Sequence, residues 1–185
     1  MEKLKSINFI TTNKQKVFEF RQALPEISFT QLDIDLEEIQ SLSSRKIIEH
    51  KLQSAFKHHS GPFVIEDTSL YLECMNWQLP GPFIKFFNEA VGQKQMADLI
   101  VKSGKINARA EVSIALAKSP RQVKFWVGKT QGRITKPKGK YKFGFDEILI
   151  PDGCQLTLSQ MKAQGDFSHS PRAKVIKQLK TFILK

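Results

Sequence analysis

The chain has only two cysteines, Cys74 and Cys154, and they do not stand at a C-x-x-C spacing. That count excludes a disulfide framework and a cysteine-based metal site. A reducing, cytoplasmic compartment is expected. No apolar run approaches the roughly 18 residues of a membrane span. The opening residues Met1 to Ser6 lack the apolar segment of a secretory signal, so neither export nor a membrane partner is expected. Repeats, linkers and low-complexity tracts are also missing, and residues 1–185 are expected to form a single domain. Acids are scarce, with 18 Asp and Glu against 29 Lys and Arg, a formal net charge of +11. Between Lys118 and Lys142 there are nine Lys and Arg and no acid at all. Such an excess suits a polyanionic ligand, either a nucleotide in a pocket or a nucleic-acid backbone. A lysine-rich, solvated face would produce the same count.

What is present is enough apolar material for a core: 41% of 185 residues are hydrophobic, and 14 of them are Phe. Ser6 to Thr11 reads as a strand, and Lys16 to Leu24 as a helix stopped by Pro25. Phe29 to Ile34 alternates like a strand. Ser43 or Ser44 can cap a helix that carries Ile47, Ile48, Leu52, Ala55 and Phe56 on one side. Phe63-Val64-Ile65 reads as a short strand ending on Glu66 and Asp67, with Ser69 to Glu73 as a second strand. Pro82 suits the first position of a helix, and Gln93 to Val101 predicts another. Arg109 to Ala117 and Gln122 to Val127 read as strands, Gly132 to Thr135 as a short edge, and Pro171 to Leu184 as an amphipathic terminal helix. Helices and strands intermix throughout, which predicts an α/β fold with a mixed sheet.

Four segments carry candidate chemistry. Thr11-Thr12-Asn13-Lys14-Gln15-Lys16 lies at a strand-to-helix junction, where backbone N–H groups favour phosphate. Glu66-Asp67 follows an apolar run, and adjacent buried carboxylates are costly unless they face a cation or ligand. An oxygen-rich pair of this kind suits Mg²⁺, with Glu38 as a third candidate ligand. Leu79-Pro80-Gly81-Pro82-Phe83-Ile84-Lys85 is a rigid loop entering a helix. Phe143-Gly144-Phe145-Asp146, followed by Ser168-His169-Ser170-Pro171-Arg172-Ala173, offers two aromatic rings and two basic side chains.

Together these segments resemble the inosine triphosphate pyrophosphatase (ITPase) family, which hydrolyses non-standard purine nucleoside triphosphates. The family's T-G-N-x-x-K matches Thr11 to Lys16, its E-D-T matches Glu66-Asp67-Thr68, and its L-P-G-P-x-I-K matches Leu79 to Lys85. Its F-G-W/Y-D matches Phe143 to Asp146, its P-D-G matches Pro151-Asp152-Gly153, and its S-H-R-x-R/K-A matches Ser168 to Ala173. The matches keep the family's order over nearly the whole chain. Several positions depart from the pattern. Thr12 replaces Gly, Phe145 replaces Trp or Tyr, and Glu147 replaces Pro. Ser170 replaces Arg, and Gln164-Gly165 stand in place of Lys-Asn.

The resemblance implies a twisted mixed sheet in an elongated, two-lobed chain with a central cleft, and a homodimer. It implies cleavage at the α-phosphorus of ITP, dITP or XTP, giving the monophosphate and pyrophosphate. Mg²⁺, with Mn²⁺ as a substitute, would be held by Glu38, Glu66 and Asp67, and Asp67 would act as the base. Thr11, Asn13, Lys16 and Lys51 would grip the phosphates. Phe143 and Phe145 would stack on the base, with Asp146, Ser168, His169 and Arg172 around it. The loss of Arg at position 170 predicts weaker base discrimination than in typical relatives. A weakened nucleotide-binding protein on the same scaffold is the alternative. A nucleic-acid-binding protein accounts for the charge and leaves the carboxylates unexplained, so a nucleic-acid partner is not expected.

Overall fold

A computed structural model describes residues 6–184. Seven strands form one mixed sheet in the order β2-β1-β3-β5-β6-β7, with β4 paired to β3. The elements are β1 Ser6–Ile10, α1 Lys14–Ala23, β2 Ser28–Leu32, α2 Ser44–His58, β3 Phe63–Leu72, β4 Pro80–Gly81, α3 Ile84–Ala90, α4 Gln93–Lys102, β5 Asn107–Ser119, β6 Gln122–Ile134, β7 Leu149–Pro151, α5 Leu158–Ala163 and α6 Pro171–Ile183. The α/β class and the mixed sheet agree with the sequence reading. The chain packs as two compact units. The first comprises Met1–Asp67, Val112–Gly128 and Arg172–Lys185, and the second Thr68–Glu111 and Lys129–Pro171.

In the first unit, β1 runs parallel to β2 from Ser6↔Ser28 to Ile10↔Leu32. It is also parallel to β3 at Asn8↔Phe63 and Phe9↔Val64. Successive strand residues point to opposite faces, and here both faces are covered, as parallel pairing requires. Ile7 and Phe9 pack with Val17 and Phe20 of α1 and with Val175, Ile176 and Leu179 of α6. Ile10 packs instead with Ile48, Leu52 and Ala55 of α2 and with Phe63 and Ile65 of β3. Phe20 is fully buried between Phe9, 4.6 Å away by ring centroid, and Phe29, 5.5 Å away. Burying a ring of that size contributes about 1.5–3 kcal/mol.

The second unit has its own core, built from Leu70, Ile84, Met96, Ile100, Ala108, Phe145, Ile148 and Leu158 among others. Here β4 lies antiparallel to β3 through Leu70↔Gly81 and Tyr71↔Pro80. Strand β7 pairs with the end of β6 from Gly132↔Pro151 to Ile134↔Leu149. That pairing needs glycine at 132, because a Cβ there would lie 2.2 Å from the Ile150 carbonyl oxygen.

The structure corrects several boundaries. Phe63–Leu72 is one ten-residue strand rather than two. Glu66 and Asp67 do not end it, since cations meet their side chains while their backbone stays in the strand. The edge expected at 132–135 belongs to β6. Pro82 does not open a helix: Pro80 and Gly81 pair with β3, and α3 begins at Ile84. Strand β7 and helix α5 are additions to the sequence reading.

Candidate active site

Helix α1 starts where β1 stops, and Asn13 makes the junction. Its Oδ1 accepts the N–H groups of Gln15 and Lys16 at 3.0 and 3.3 Å. Two of the helix's four orphan donors are thereby satisfied. Thr11 Oγ1 accepts the Asn13 N–H at 3.1 Å, and Gln31 Nε2 donates to the Thr11 carbonyl at 2.9 Å. Thr11 and Asn13 thus fix the turn that delivers Lys16 from the first helical turn. Lys16 Nζ reaches Glu66 Oε1 at 3.1 Å.

Glu66 is buried and doubly held. Arg172 donates to it through Nε to Oε2 and Nη2 to Oε1, both at 2.8 Å, while its Nη1 donates to Glu19 at 2.8 Å. All three side chains are nearly inaccessible. Burial alone would raise the Glu66 pKa, but Arg172 and then Lys16 hold the carboxyl far below the usual range. On Arg172 burial works toward losing the proton. Glu66 and then Glu19 more than reverse it, so the guanidinium stays charged. The sequence reading set Arg172 at the base and Glu66 at the metal. The structure sets them against each other, with both Glu66 oxygens engaged.

Asp67, one residue on, is 7% exposed and lives differently. Burial pushes its pKa up, opposed by the charges of Lys51 and Lys16 and by a hydrogen bond from Ser44, and reinforced by the negative charge of Glu38. Lys51 in turn pairs with Glu38 at 2.6 Å. Helix α2 supplies both Ser44 and Lys51, held in place by the Ser43 cap, whose Oγ accepts the Lys46 N–H. The first unit therefore brings together Lys16, Glu38, Lys51, Glu66 and Asp67. Their formal charge is that of three acids against two lysines, with Arg172 beneath. Among the described residues, no three His, Cys, Asp or Glu side chains group closely enough to hold a metal ion by themselves.

The expected base-recognition residues Phe143, Phe145, Asp146, Ser168 and His169 all fall in the second unit. Phe145 is 4% exposed and belongs to that unit's core, whereas Phe143 is half-buried. Asp146 is buried and accepts from Lys162 Nζ at 2.8 Å. The same ammonium lies 5.3 Å from the centre of the Tyr141 ring, 5.4 Å from Phe143 and 5.9 Å from Phe167. A cation at such distances from ring faces gains further stabilisation. Lys162 thus ties the Phe143–Asp146 segment to the residues just before Ser168. Asn88 and Gln93 both donate side-chain N–H groups to the Gly144 carbonyl, pinning the same segment from α3 and α4. Ser168 donates its N–H and O–H to Asp166. The imidazole of His169 faces Cys154, with Sγ at 3.6 Å from Nδ1, and the His169 carbonyl accepts from Thr130 Oγ1 at 2.6 Å.

Sequence reasoning missed Glu19, Ser44, Asn88, Gln93 and Lys162. Glu19 alone left a trace: it sits between Phe18 and Phe20 on a helix whose Phe20 is core, an odd place for an acid.

The chain is similar to known proteins over most of its length. The sequence model of the Ham1 family matches residues 7–182. An inosine triphosphate pyrophosphatase of Candida albicans is 31% identical over 160 residues, covering 86% of this chain and 78% of that one. One from Schizosaccharomyces pombe is 30% identical over 182 residues, covering 97% and 96%. The Ham1 protein of Staphylococcus aureus superposes with a TM-score of 0.80 at 20% identity, covering 97% of this chain and 98% of that one.

Proposed function

Because the chain belongs to the Ham1 family, we propose that it is a nucleoside triphosphate diphosphatase, a hydrolase of acid anhydrides. It takes non-standard purine nucleotides (ITP, dITP, XTP) to the monophosphate and pyrophosphate and so clears them from the nucleotide pool. The relatives named inosine triphosphate pyrophosphatase support this reading. The observation that carries it is the buried Asp67 set between Lys16, Lys51 and Glu38.

A triphosphate brings about four negative charges, and hydrolysis needs that charge met by fixed cations. Lys16 from α1 and Lys51 from α2 do so. Each leans on a carboxylate, at Glu66 and at Glu38, that holds its side chain in place. Thr11 and Asn13 form the turn beside Lys16 and offer their remaining N–H and O–H donors. Asp67 accepts the proton of the attacking water. Without a cation beside it, burial raises its pKa and makes it a stronger base than an exposed aspartate.

Asp67 and Glu38 fit a divalent cation. Burial penalises the Asp67 anion, nearby Glu38 adds to the penalty, and a cation would relieve both. When bound, Mg²⁺ or Mn²⁺ supplies phosphate charge neutralisation and a lowered pKa for water. Glu66, with both oxygens on Arg172, holds its place from behind and fixes Lys16.

In the second unit, Phe143 offers a half-buried ring for the base and His169 a donor for a 6-oxo group. Phe145, Asp146 and Lys162 set the segment's shape. Adenine presents an amine where hypoxanthine presents an acceptor, and such a mismatch is worth up to about 10⁴-fold. Ser170, 2% exposed, stands where the family pattern has Arg, which supports a softer preference in this chain. The reading extends to a homodimer in the cytoplasm. Light scattering on the purified chain checks the dimer.

Pyrophosphate release from ITP, dITP, XTP, GTP and ATP, with and without Mg²⁺, tests the proposal. Nucleotide binding without pyrophosphate release would favour the weakened, non-catalytic alternative.

A further inference from the structure

We infer that the first unit carries a second ligand site, built for a small, flat organic carboxylate and separate from the phosphate-gripping residues. It is a cavity of about 310 Å³ lined by Arg45, Ile48, Ser113, Phe125, Trp126, Val127 and Gln178. None of these residues belongs to the set around Asp67. The volume is at the small end of ligand pockets, which run from about 300 to 1,000 Å³. It suits a single or fused ring carrying one charged group.

The cavity lies beside the start of α2, with Arg45 and Ile48 of that helix in its lining. Further along β5, Ala115 and Ala117 pack directly against Ile48, Leu52 and Ala55. Ser113 shares their face by the two-residue period of a strand, and there the helix has only its first turn to offer. Arg45, in that turn, closes the gap with its side chain. Its guanidinium carbon lies 3.9 Å from the centre of the Phe125 ring. A guanidinium stacked on a ring keeps its N–H edge free for ligands. Nε is engaged by Glu49 at 2.8 Å, which leaves the two Nη groups uncommitted among the described residues. That paired fork matches the two oxygens of a carboxylate.

Ser113 is the second, independent observation. It is 8% exposed and lines the cavity. Its hydroxyl has no hydrogen-bond partner among the described residues. The hydroxyl is open to the cavity and can donate to or accept from a polar group there. Ile48, Phe125 and Val127 supply apolar wall for the ring of the ligand. Gln178 closes the outer side by donating Nε2 to the Val127 carbonyl at 3.1 Å. One cationic fork, one open hydroxyl and three apolar walls define an aromatic carboxylate rather than a bare anion or a neutral ring.

The test is a titration of the ¹⁵N-labelled full chain, read at the Trp126 indole N–H (identified by loss of its signal in Trp126→Phe) and at the Gln178 side-chain amide. Benzoate, its neutral isostere benzamide and inorganic phosphate are the three probes. The site predicts saturable shifts with benzoate at a dissociation constant of about 1 mM, reasonable for so few heavy atoms. Benzamide should bind at least tenfold more weakly, and phosphate should leave the Trp126 signal in place. Arg45→Gln should weaken benzoate at least tenfold, and Ser113→Ala about threefold. Arg45→Lys keeps the charge without the fork and should also weaken it, which guards against a folding defect in Arg45→Gln. Equal binding of benzoate and benzamide, equal binding of phosphate, indifference to all three substitutions, or no saturation with benzoate would each overturn the inference.

Discussion

Arg172 grips Glu66 through two parallel hydrogen bonds of 2.8 Å each, with its remaining nitrogen on Glu19. Three segments distant in sequence, α1, β3 and the start of α6, are locked by one buried guanidinium, which holds the residue just before the proposed base. Removing one partner of such a buried set typically costs about 3–5 kcal/mol, because the others remain charged and unpaired. Arg172→Met should therefore lower the melting temperature sharply and destabilise the chain by about that amount. Urea denaturation measures it. A loss confined to KM for ITP, with stability unchanged, would instead place Arg172 at the base.

Asp67 and Glu66 are neighbours with opposite titration. Burial raises the Asp67 pKa, so the folded state binds the proton more tightly than the unfolded chain does. Its ionisation then lowers stability as pH rises from the unfolded value through the raised folded one. Asp67→Asn should accordingly stabilise the protein at pH 7–8 and lose that advantage in acid, while cutting kcat about 10²–10⁴-fold. Paired melting curves and ITP turnover at several pH values check both halves. The Glu66 carboxyl is depressed, so its contribution is present at neutral pH and is lost as pH falls below the ordinary carboxylate range. Glu66→Gln should destabilise at pH 7, and that penalty should shrink steadily as pH falls below the ordinary carboxylate range.

In the second unit, Lys162 pairs with Asp146 beneath three aromatic rings. Lys162→Met alone should destabilise by about 3–5 kcal/mol, and Lys162→Met with Asp146→Leu should recover much of the loss. If the pair shapes the base segment, the double variant regains stability while its KM for ITP stays raised. Comparing the two variants by denaturation and by steady-state kinetics separates the structural effect from the recognition effect.

Much of this architecture was legible before any coordinates. The helix of α6 showed in the spacing of Val175, Ile176, Leu179 and Ile183, and the α2 cap was narrowed to Ser43 or Ser44, of which Ser43 is the cap. Glu66-Asp67 stood out because acids seldom follow Phe63-Val64-Ile65. What was not legible arises between distant residues. Nothing local to Lys162 says that its ammonium meets Asp146, or that Glu19 and Glu66 share Arg172. The division into two units was also hidden. Its boundaries fall inside β3, β5 and β6 and at the start of α6, where no linker composition can mark them. Phe145 misled for a related reason: an aromatic next to Gly144 suits stacking, but its neighbours Ile148 and Leu149 draw it into the core.

In the proposed reading, base selectivity depends on position 170. With a buried Ser where the family pattern has Arg, the ratio of kcat/KM for ITP to that for ATP should fall below that of relatives carrying Arg. Ser170→Arg is not the test, since position 170 is 2% exposed and an Arg there would be overpacked. Side-by-side kinetics with a relative that carries Arg at this position are.

In the proposed reaction the buried Asp67, set among lysines, activates water for attack at the α-phosphorus. Phosphorus-31 NMR of ITP turnover in Mg²⁺ tests it most directly. The account predicts a single inorganic product, pyrophosphate, appearing with IMP and nearly abolished in Asp67→Asn. Release of orthophosphate with IDP, or undiminished pyrophosphate from Asp67→Asn, would contradict it.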